Sequence, residues 1–567
     1  MQSKKFMPLS IALLLFIILS ACSTVSENET SLDIEKMISE KKEALKPFDP
    51  EPDPNAKQIS SYNTERMDDQ KEMDENIKSE YEEGNYTLDD PYINVDPYNA
   101  SPLSALVMFE TEDPVSITVT TGNKENEVPV KNSWKKEKKT HMIPVLGLYP
   151  GEDNEVKIEA TNEEGKTEEK ILTITTEDLP DDFMETTLIE AKKEDMETGL
   201  TYIIPTSGYL YAVDSNAEVR WYSSLRSRLI FTRLKNGNYL QTTRKDDETQ
   251  YNELLELDML GKMHNAYSIN IEAYDEEKNN LIHHEVIEMP NDNLLATTHE
   301  PNSDYEEDFM SEIDRETGET TQEVNLREAM PESAPDDYDG KNAEDNDWIH
   351  QNAIWFDEKD HSILVSGRSQ DVILKLSYPD GKLKWILGAD EKWPDEFKKY
   401  LLEPKGDVKF PAGQHAMKIV NTEESAKNSH IKDVILFDNN EVFTRGNEEE
   451  SEQYSQAIRY RVNEEDNTVE EIWSYGKERG ESFFSHIIGN VQYLYEKDNI
   501  ILNSGATKDE ESPTGITGRI VEVDALTDNK DPIFELEVRG KEEGAVKYVY
   551  RTWRLPLYPE TEWEFEL

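Results

Sequence analysis

The stretch His283–Thr297, HHEVIEMPNDNLLAT, recurs in altered form at His350–Arg368 (HQNAIWFDEKDHSILVSGR), Gln414–Phe437 (QHAMKIVNTEESAKNSHIKDVILF) and Gly489–Gly505 (GNVQYLYEKDNIILNSG). In each copy a polar residue heads a short apolar strand, a polar turn follows, and a second apolar strand returns. Aligning the copies on the first strand puts His284, Asn352, His415 and Asn490 in register. His350 lies two residues before Asn352, on the same strand face. An earlier copy, Ile230–Thr243 (IFTRLKNGNYLQTT), carries no histidine. Most copies are followed by a second strand pair around a turn, as in ILKLSYPDGKLKWILG from Ile373 and YRVNEEDNTVEEIWSYG from Tyr460, and six such pairs are present. A period of roughly 55–75 residues with four strands per unit predicts an all-β fold, a six-bladed β-propeller over residues 181–567. Its strand heads would converge on one axial pocket.

Working outward, the segment VKYVYRTWRLPLY before the C-terminus is a strand without a partner of its own. Pairing with the region TYIIPTSGYLYAVD from Thr201 would close the ring and remove its exposed edges. Residues 91–180 alternate apolar and polar positions between turn signals, which predicts a small N-terminal β-sandwich. Residues 22–90 are acidic and poor in aromatic and β-branched residues, which predicts a largely disordered tether with one or two marginal helices.

The N-terminus, MQSKKFMPLSIALLLFIILSACS, pairs Lys4 and Lys5 with an apolar run too short to span a bilayer. It reads as a signal over residues 1–21, followed by Cys22 at the position that a bacterial lipoprotein acylates. The expected location is the outer face of the bacterial cell membrane, held by lipid alone. Cys22 is the chain's only cysteine, so no disulfide is available. A net charge of −61 repels nucleic acid, which excludes it as a partner. So acidic an exported surface also suits a saline or alkaline exterior. The oligomeric state stays open, a homodimer included.

The candidate site gathers His284 or its neighbour His283, His350, Asn352, Arg368, His415 and, more weakly, Asn490. Three neutral imidazoles can bind a metal ion. Imidazoles with Arg and Asn can instead hold a tetrahedral oxyanion. A permanent cation at Arg368 raises the cost of a metal and suits the oxygens of a sulfuryl or phosphoryl group, so no metal and no cofactor is expected. A non-catalytic propeller capturing an anionic or aromatic ligand, and a histidine-metal hydrolase, remain as alternatives. His141, His264, His299, His361 and His430 read as core or loop residues, and His486 stays undecided. EEGKT at Glu163 lacks the first glycine of a phosphate loop. DDYDGKNAEDND from Asp336 lacks ligands that a calcium loop needs.

The segments HHEVIEMPNDNLLAT, DWIHQNAIWFDEKDHSILVSGRSQDVILKL and PAGQHAMKI resemble the signature segments of the bacterial arylsulfate sulfotransferases, with the H-x-N followed by S-x-R as the most specific part. PYNASPLSALVMF resembles that family's N-terminal sandwich and YRTWRLPLY its closing strand, so the resemblance runs from about Pro91 to Leu567. It implies an enzyme that moves a sulfuryl group from an aryl sulfate donor to a phenolic acceptor by a ping-pong mechanism, without a nucleotide sulfate donor. It further implies that His415 is the nucleophile that becomes sulfated and His284 the acid/base. His350, Asn352 and Arg368 would bind the sulfate. The chain departs from the family in having no cysteine pair near the site, and in a lipid anchor where periplasmic members are freely soluble.

Overall fold

The computed structural model describes residues 48, 50–122, 127–244, 250–269, 281–300, 303–336, 338–340, 346–446, 451, 454–527, 529–541, 547–560 and 563–567. The leader and Cys22 lie outside the described residues. The strands form seven sheets, six of them within the C-terminal part of the chain. Each of those six has four or five strands, antiparallel except where the short strand Glu403–Pro404 joins in parallel.

The first strands of these sheets are Phe231–Arg233, Ile282–Glu288, Gln351–Asp357, His415–Val420, Asn490–Leu494 and Val549–Leu555. From Ile282–Glu288 onward, each touches the first strand of the next sheet. Val549–Leu555 comes from the end of the chain but pairs antiparallel with Leu200–Pro205, giving that sheet its first strand. Glu185–Ala191 in turn adds a fifth strand beside Phe534–Arg539. Early and late segments thus share two sheets.

The second strands read as unbroken apolar runs because neighbouring sheets cover both faces. Ser362–Gly367, for example, is buried throughout. Between sheets, Leu364, Ile373 and Trp385 of one pack with Met417, Val434 and Ile458 of the next. Trp385 fills a gap between sheets, as its place in the repeat suggests.

The N-terminal sheet is built on two long strands, Ser104–Thr121 and Val130–Leu146, paired along their length. Register breaks between Glu110 and Val115. Residues before the break also pair with Tyr92–Val95, and residues after it with Asp153–Asn162. Arg220 joins this unit to the six sheets: fully buried, it pairs with Asp214, donates to Gly147 O at 2.6 Å and stacks on Tyr149.

One expectation is corrected. The segment read as a largely disordered tether is ordered over its described part and docked on the six sheets. Ser60–Tyr62 pairs with Met263–Ile269 as an added edge strand. Thr64–Glu82 is a helix capped by Asn63, whose side chain accepts from Arg66 N. Polar contacts hold it: Arg66 with Glu253 at 2.6 Å, Lys262 with Asp74 at 2.9 Å, and Gln70 Oε1 accepting from Met263 N. Met67, Met73, Ile77 and Tyr81 also pack one side of the helix against the core, a sparse apolar set among many charges.

Candidate active site at the strand heads

Four of the six first strands lose register at their heads, between Ile282 and Val286, Gln351 and Ala353, His415 and Lys418, and Val549 and Arg551. Such bulges re-aim side chains. The backbone is strained beside two of them, with φ of 48° at His350 and 54° at Ala416, and again at Ile488 (56°) ahead of Asn490–Leu494, a region that non-glycine residues seldom occupy. Gly413 meets the same demand: its φ is 63°, and a Cβ there would lie 2.6 Å from Glu441 O.

His415 is buried. Its Nδ1 lies 2.7 Å from Asn439 Oδ1, while Asn439 Nδ2 donates to the carbonyls of Ser485 and Ile488, both at 2.8 Å. Those two acceptors fix which way the amide faces. Nδ1 must therefore carry the hydrogen, leaving the lone pair on Nε2. Nε2 accepts only a long bond, 3.3 Å, from Ile488 N. Burial holds His415 well below the usual imidazole value, and the charges of Arg368 and His350 add to this, so the ring is neutral.

His284 and His350 form a second group, their ring centroids 4.7 Å apart. His350 Nδ1 sits 2.8 Å from Glu307 and 2.5 Å from Asp347. Burial alone would lower its pKa, but Asp347 and Glu307 overcome that and push it up to about 10. His350 is thus a cation. His284 is the opposite case, held well below the usual value by burial and by the charge of His350. Its Nδ1 lies 2.8 Å from Nδ1 of His283 and 3.5 Å from Glu307. A cavity of about 180 Å³ opens beside them, lined by Leu229, Tyr251, Ile282, His283, His284 and His350 among others.

Arg368 reaches the same region because its strand pairs with that of His350, and its N–H donates to His350 O at 3.2 Å. The guanidinium lies 4.1 Å from the ring centre of Phe443, and its buried Nε has no hydrogen-bond partner among the described residues. Asp371 holds Phe443 in place by accepting from the backbone N–H groups of Gly413, Phe443, Thr444 and Arg445. At the floor, Arg551 pairs with Glu285 at 2.7 Å and donates to Asn352 O at 2.9 Å.

Asn352 does not join the cluster through its amide nitrogen. Nδ2 donates to Gln414 O at 2.7 Å, just as Asn490 Nδ2 donates to Thr552 O at 2.7 Å. The two residues share a register position, and each ties its strand to the next first strand. Asn352 Oδ1 is buried without a partner among the described residues.

Sequence reading did not identify Asn439, Glu307, Asp347, Phe443, Asp371 or Arg551 as part of the site. Asp347 and Asp371 flank the H-x-N and S-x-R residues within a few positions, a signal that was available. The others come from loops or from the closing strand, where no repeat marks them. His299, read as a core residue, packs its ring 5.0 Å from that of His283 and accepts from Glu307 N at 2.9 Å. Two sets, His283–His284–Glu307 and Glu307–Asp347–His350, each bring three possible metal-ligand atoms within 4.8 Å of one another.

Residues 185–551, more than half of the chain, match the model of the arylsulfotransferase (ASST) family. The chain belongs to that family. Residues 92–177 match the arylsulfotransferase Ig-like domain, which is the N-terminal sheet described above. This arylsulfotransferase family enzyme is 25% identical to the arylsulfate sulfotransferase AssT of Lelliottia amnigena over 80% of its own length and 91% of the relative's. It is 23% identical to AssT of Escherichia coli O6:H1 over the same shares. Among solved structures, a putative 6-phosphogluconolactonase from Bacteroides fragilis aligns with a TM-score of 0.31 and 11% identity over 75% of this chain and 94% of that one, too slight a likeness to bear on function.

Proposed function

We propose that this chain is a six-bladed β-propeller that transfers a sulfuryl group from an aryl sulfate to a phenolic acceptor through a sulfated His415. Six sheets in sequential contact, closed by the pairing of Val549–Leu555 with Leu200–Pro205, support the propeller reading. The observation that carries the chemistry is the pinning of His415 by Asn439. It leaves a neutral imidazole with its lone pair on Nε2, near the charges of Arg368 and His350.

Nε2 attacks sulfur, giving up its long bond to Ile488 N, and the S–O bond to the phenol oxygen breaks with its electron pair on that oxygen. Sulfuryl transfer resembles phosphoryl transfer in having a loose transition state, with charge on the peripheral oxygens. Arg368, with an unpaired Nε, and cationic His350 meet those oxygens. The departing phenolate takes a proton from the His284–His350 pair. The resting proton is on His350, whose pKa of about 10 matches that of a phenol, ~10. In the second half-reaction the pair, now neutral, accepts the proton of the incoming phenol. Its oxygen attacks sulfur, the N–S bond breaks, and the lone pair returns to Nε2. Tyr251, Leu229 and Ile282 offer an aryl ring apolar walls beside the histidines. Asn352 acts by position, fixing the backbone at Gln414 next to His415.

The test is mass spectrometry after mixing the protein with 4-nitrophenyl sulfate and no acceptor. A sulfo adduct of about 80 Da on the peptide containing His415 is expected, as covalent catalysis requires. An unmodified peptide with full transfer activity would overturn the assignment. The carboxylate and histidine sets described above favour one other reading, a metal-dependent hydrolase. That enzyme would release free sulfate without acceptor and lose activity with chelator. A binding protein without catalysis would release no nitrophenolate. We also infer that lipid on Cys22 anchors the chain outside the cell membrane, a reading supported by the leader sequence.

A further inference from the structure

The axial space continues past the histidines. Glu285, paired with Arg551, lines a second cavity of about 270 Å³ that shares no lining residue with the first. All six first strands contribute to its wall, through Arg233, Ile287, Trp355, Lys418, Tyr493 and Trp553 among others. Strand geometry explains the division. Trp355 and Lys418 follow Asn352 and His415 by three residues, which carries them ~10 Å along the strand.

The polar groups of this wall fall into two sets. Gln492 is bonded to the backbone of Arg554, Thr232 to Val286 O, Tyr493 to Asp498, and Tyr495 to Asn421 N. Glu285 is taken by Arg551 and by Ile354 N. Two cations keep hydrogen-bonding capacity to spare. Among the described residues Lys418 makes no hydrogen bond or ion pair; its ammonium stands 4.0 Å from the ring centre of Trp553 and 5.3 Å from that of Trp355. Arg233 donates from Nη2 to Leu557 O at 3.2 Å, but its Nη1 is buried with no partner among the described residues. Burial lowers the Lys418 amine to about 8, so it is still mostly charged at neutral pH. In a chain of net charge −61, a cavity lined by an ammonium and a guanidinium N–H that both lack hydrogen-bond partners among the described residues is suited to receive an anion. The aromatic rings around it call for an apolar body on that anion.

We propose that this cavity is a second binding site, for an aromatic ring bearing one anionic group, with the ring against Trp355, Trp553 and Tyr493 and the anion on Lys418 and Arg233. A sulfate, sulfonate or carboxylate meets the same chemistry. The site needs no transfer step, so it stands apart from the reaction proposed above.

The test is isothermal titration of the full chain with 1-naphthalenesulfonate, whose C–S bond cannot transfer, with 1-naphthoate and neutral 1-naphthalenemethanol in parallel arms. Lys418→Met should lose one class of site, with affinity lower by at least about tenfold, the loss expected for one charged hydrogen bond. Transfer from 4-nitrophenyl sulfate should stay within about twofold, because only the far cavity has changed. Lys418→Arg should restore binding, and Arg368→Ala should leave this class intact. The naphthoate arm shows whether carboxylates share the site with sulfonates. Should Lys418→Met not fold, Trp553→Leu tests the same cavity from its aromatic wall and should weaken the same class. Unchanged uptake in the folded variant, or equally tight binding of the neutral alcohol, would overturn the proposal.

Discussion

Asn439 offers its amide oxygen to His415 Nδ1 at 2.7 Å while its nitrogen is held by two backbone carbonyls. A side chain so fixed selects one tautomer of the ring it faces. Replacing it by Ala frees the ring to rotate and to put its hydrogen on Nε2. Loss of a hydrogen bond to a group that becomes charged costs ~1.5–3 kcal/mol, so Asn439→Ala should lower kcat by about 10- to 100-fold. Donor KM should change little. Steady-state kinetics with 4-nitrophenyl sulfate and the rate of adduct formation on His415 check this.

The pH profile should be a broad plateau. Burial and the charge of Arg368 hold His415 well below the usual imidazole value, so protonating the nucleophile should not limit the rate until the pH is well below the usual imidazole range. At the other end His350 loses its charge as pH rises through about 10, and the rate should fall there. Asp347→Asn removes one of the two carboxylates that raise His350, and should move the alkaline limb to lower pH. A limb that stays in place would show that another group sets it.

Asn352 separates two roles. If its amide held the sulfate, Asn352→Ala would raise donor KM many-fold. The bond to Gln414 O predicts instead a loss of stability of ~1–3 kcal/mol from the carbonyl left unsatisfied, with donor KM nearly unchanged. Urea unfolding and kinetics on the same variant decide.

The buried Arg551–Glu285 pair should behave as such pairs do. Arg551→Met leaves Glu285 charged and uncompensated, at a cost of ~3–5 kcal/mol. Changing both to Met should recover most of that loss. Denaturant unfolding of the two single variants and the double variant measures the coupling.

For the anchor, Cys22→Ser should release the protein from the membrane fraction into the medium with its specific activity intact. Cell fractionation and fatty-acid labelling test it. A variant that stays with the membrane would refute lipidation at this position.

Much of the site was legible because a strand head carries its register in the sequence. His284, His350 and His415 stand at the start of similar apolar runs. Arg368 follows His350 by one hairpin, which returns it beside the same backbone. Asn352 was aligned correctly with Asn490, but alignment gives a strand face and not a hydrogen-bond partner. Both amides are drawn into links between neighbouring strands. Glu307, Asn439 and Phe443 were not legible, since loops have no period and their side chains gain meaning only from what they meet.

The helix Thr64–Glu82 shows the same limit from the other side. Its acidic surface resembles that of an unstructured linker, and the few apolar residues it packs on the core, Met67, Met73, Ile77 and Tyr81, are sparse among the charges.

Local pattern, then, was enough for the strands, their repeat and the identity of the residues at their heads, since alternation and turns act between near neighbours in the chain. The charge on each histidine arose at a longer range. His350 is a cation and His284 neutral although their rings nearly touch, because folding sets Asp347 and Glu307 closest to one ring and leaves the other buried beside that cation. Proton affinity depends on surroundings gathered from distant segments, and those exist only once the sheets have closed around the axis.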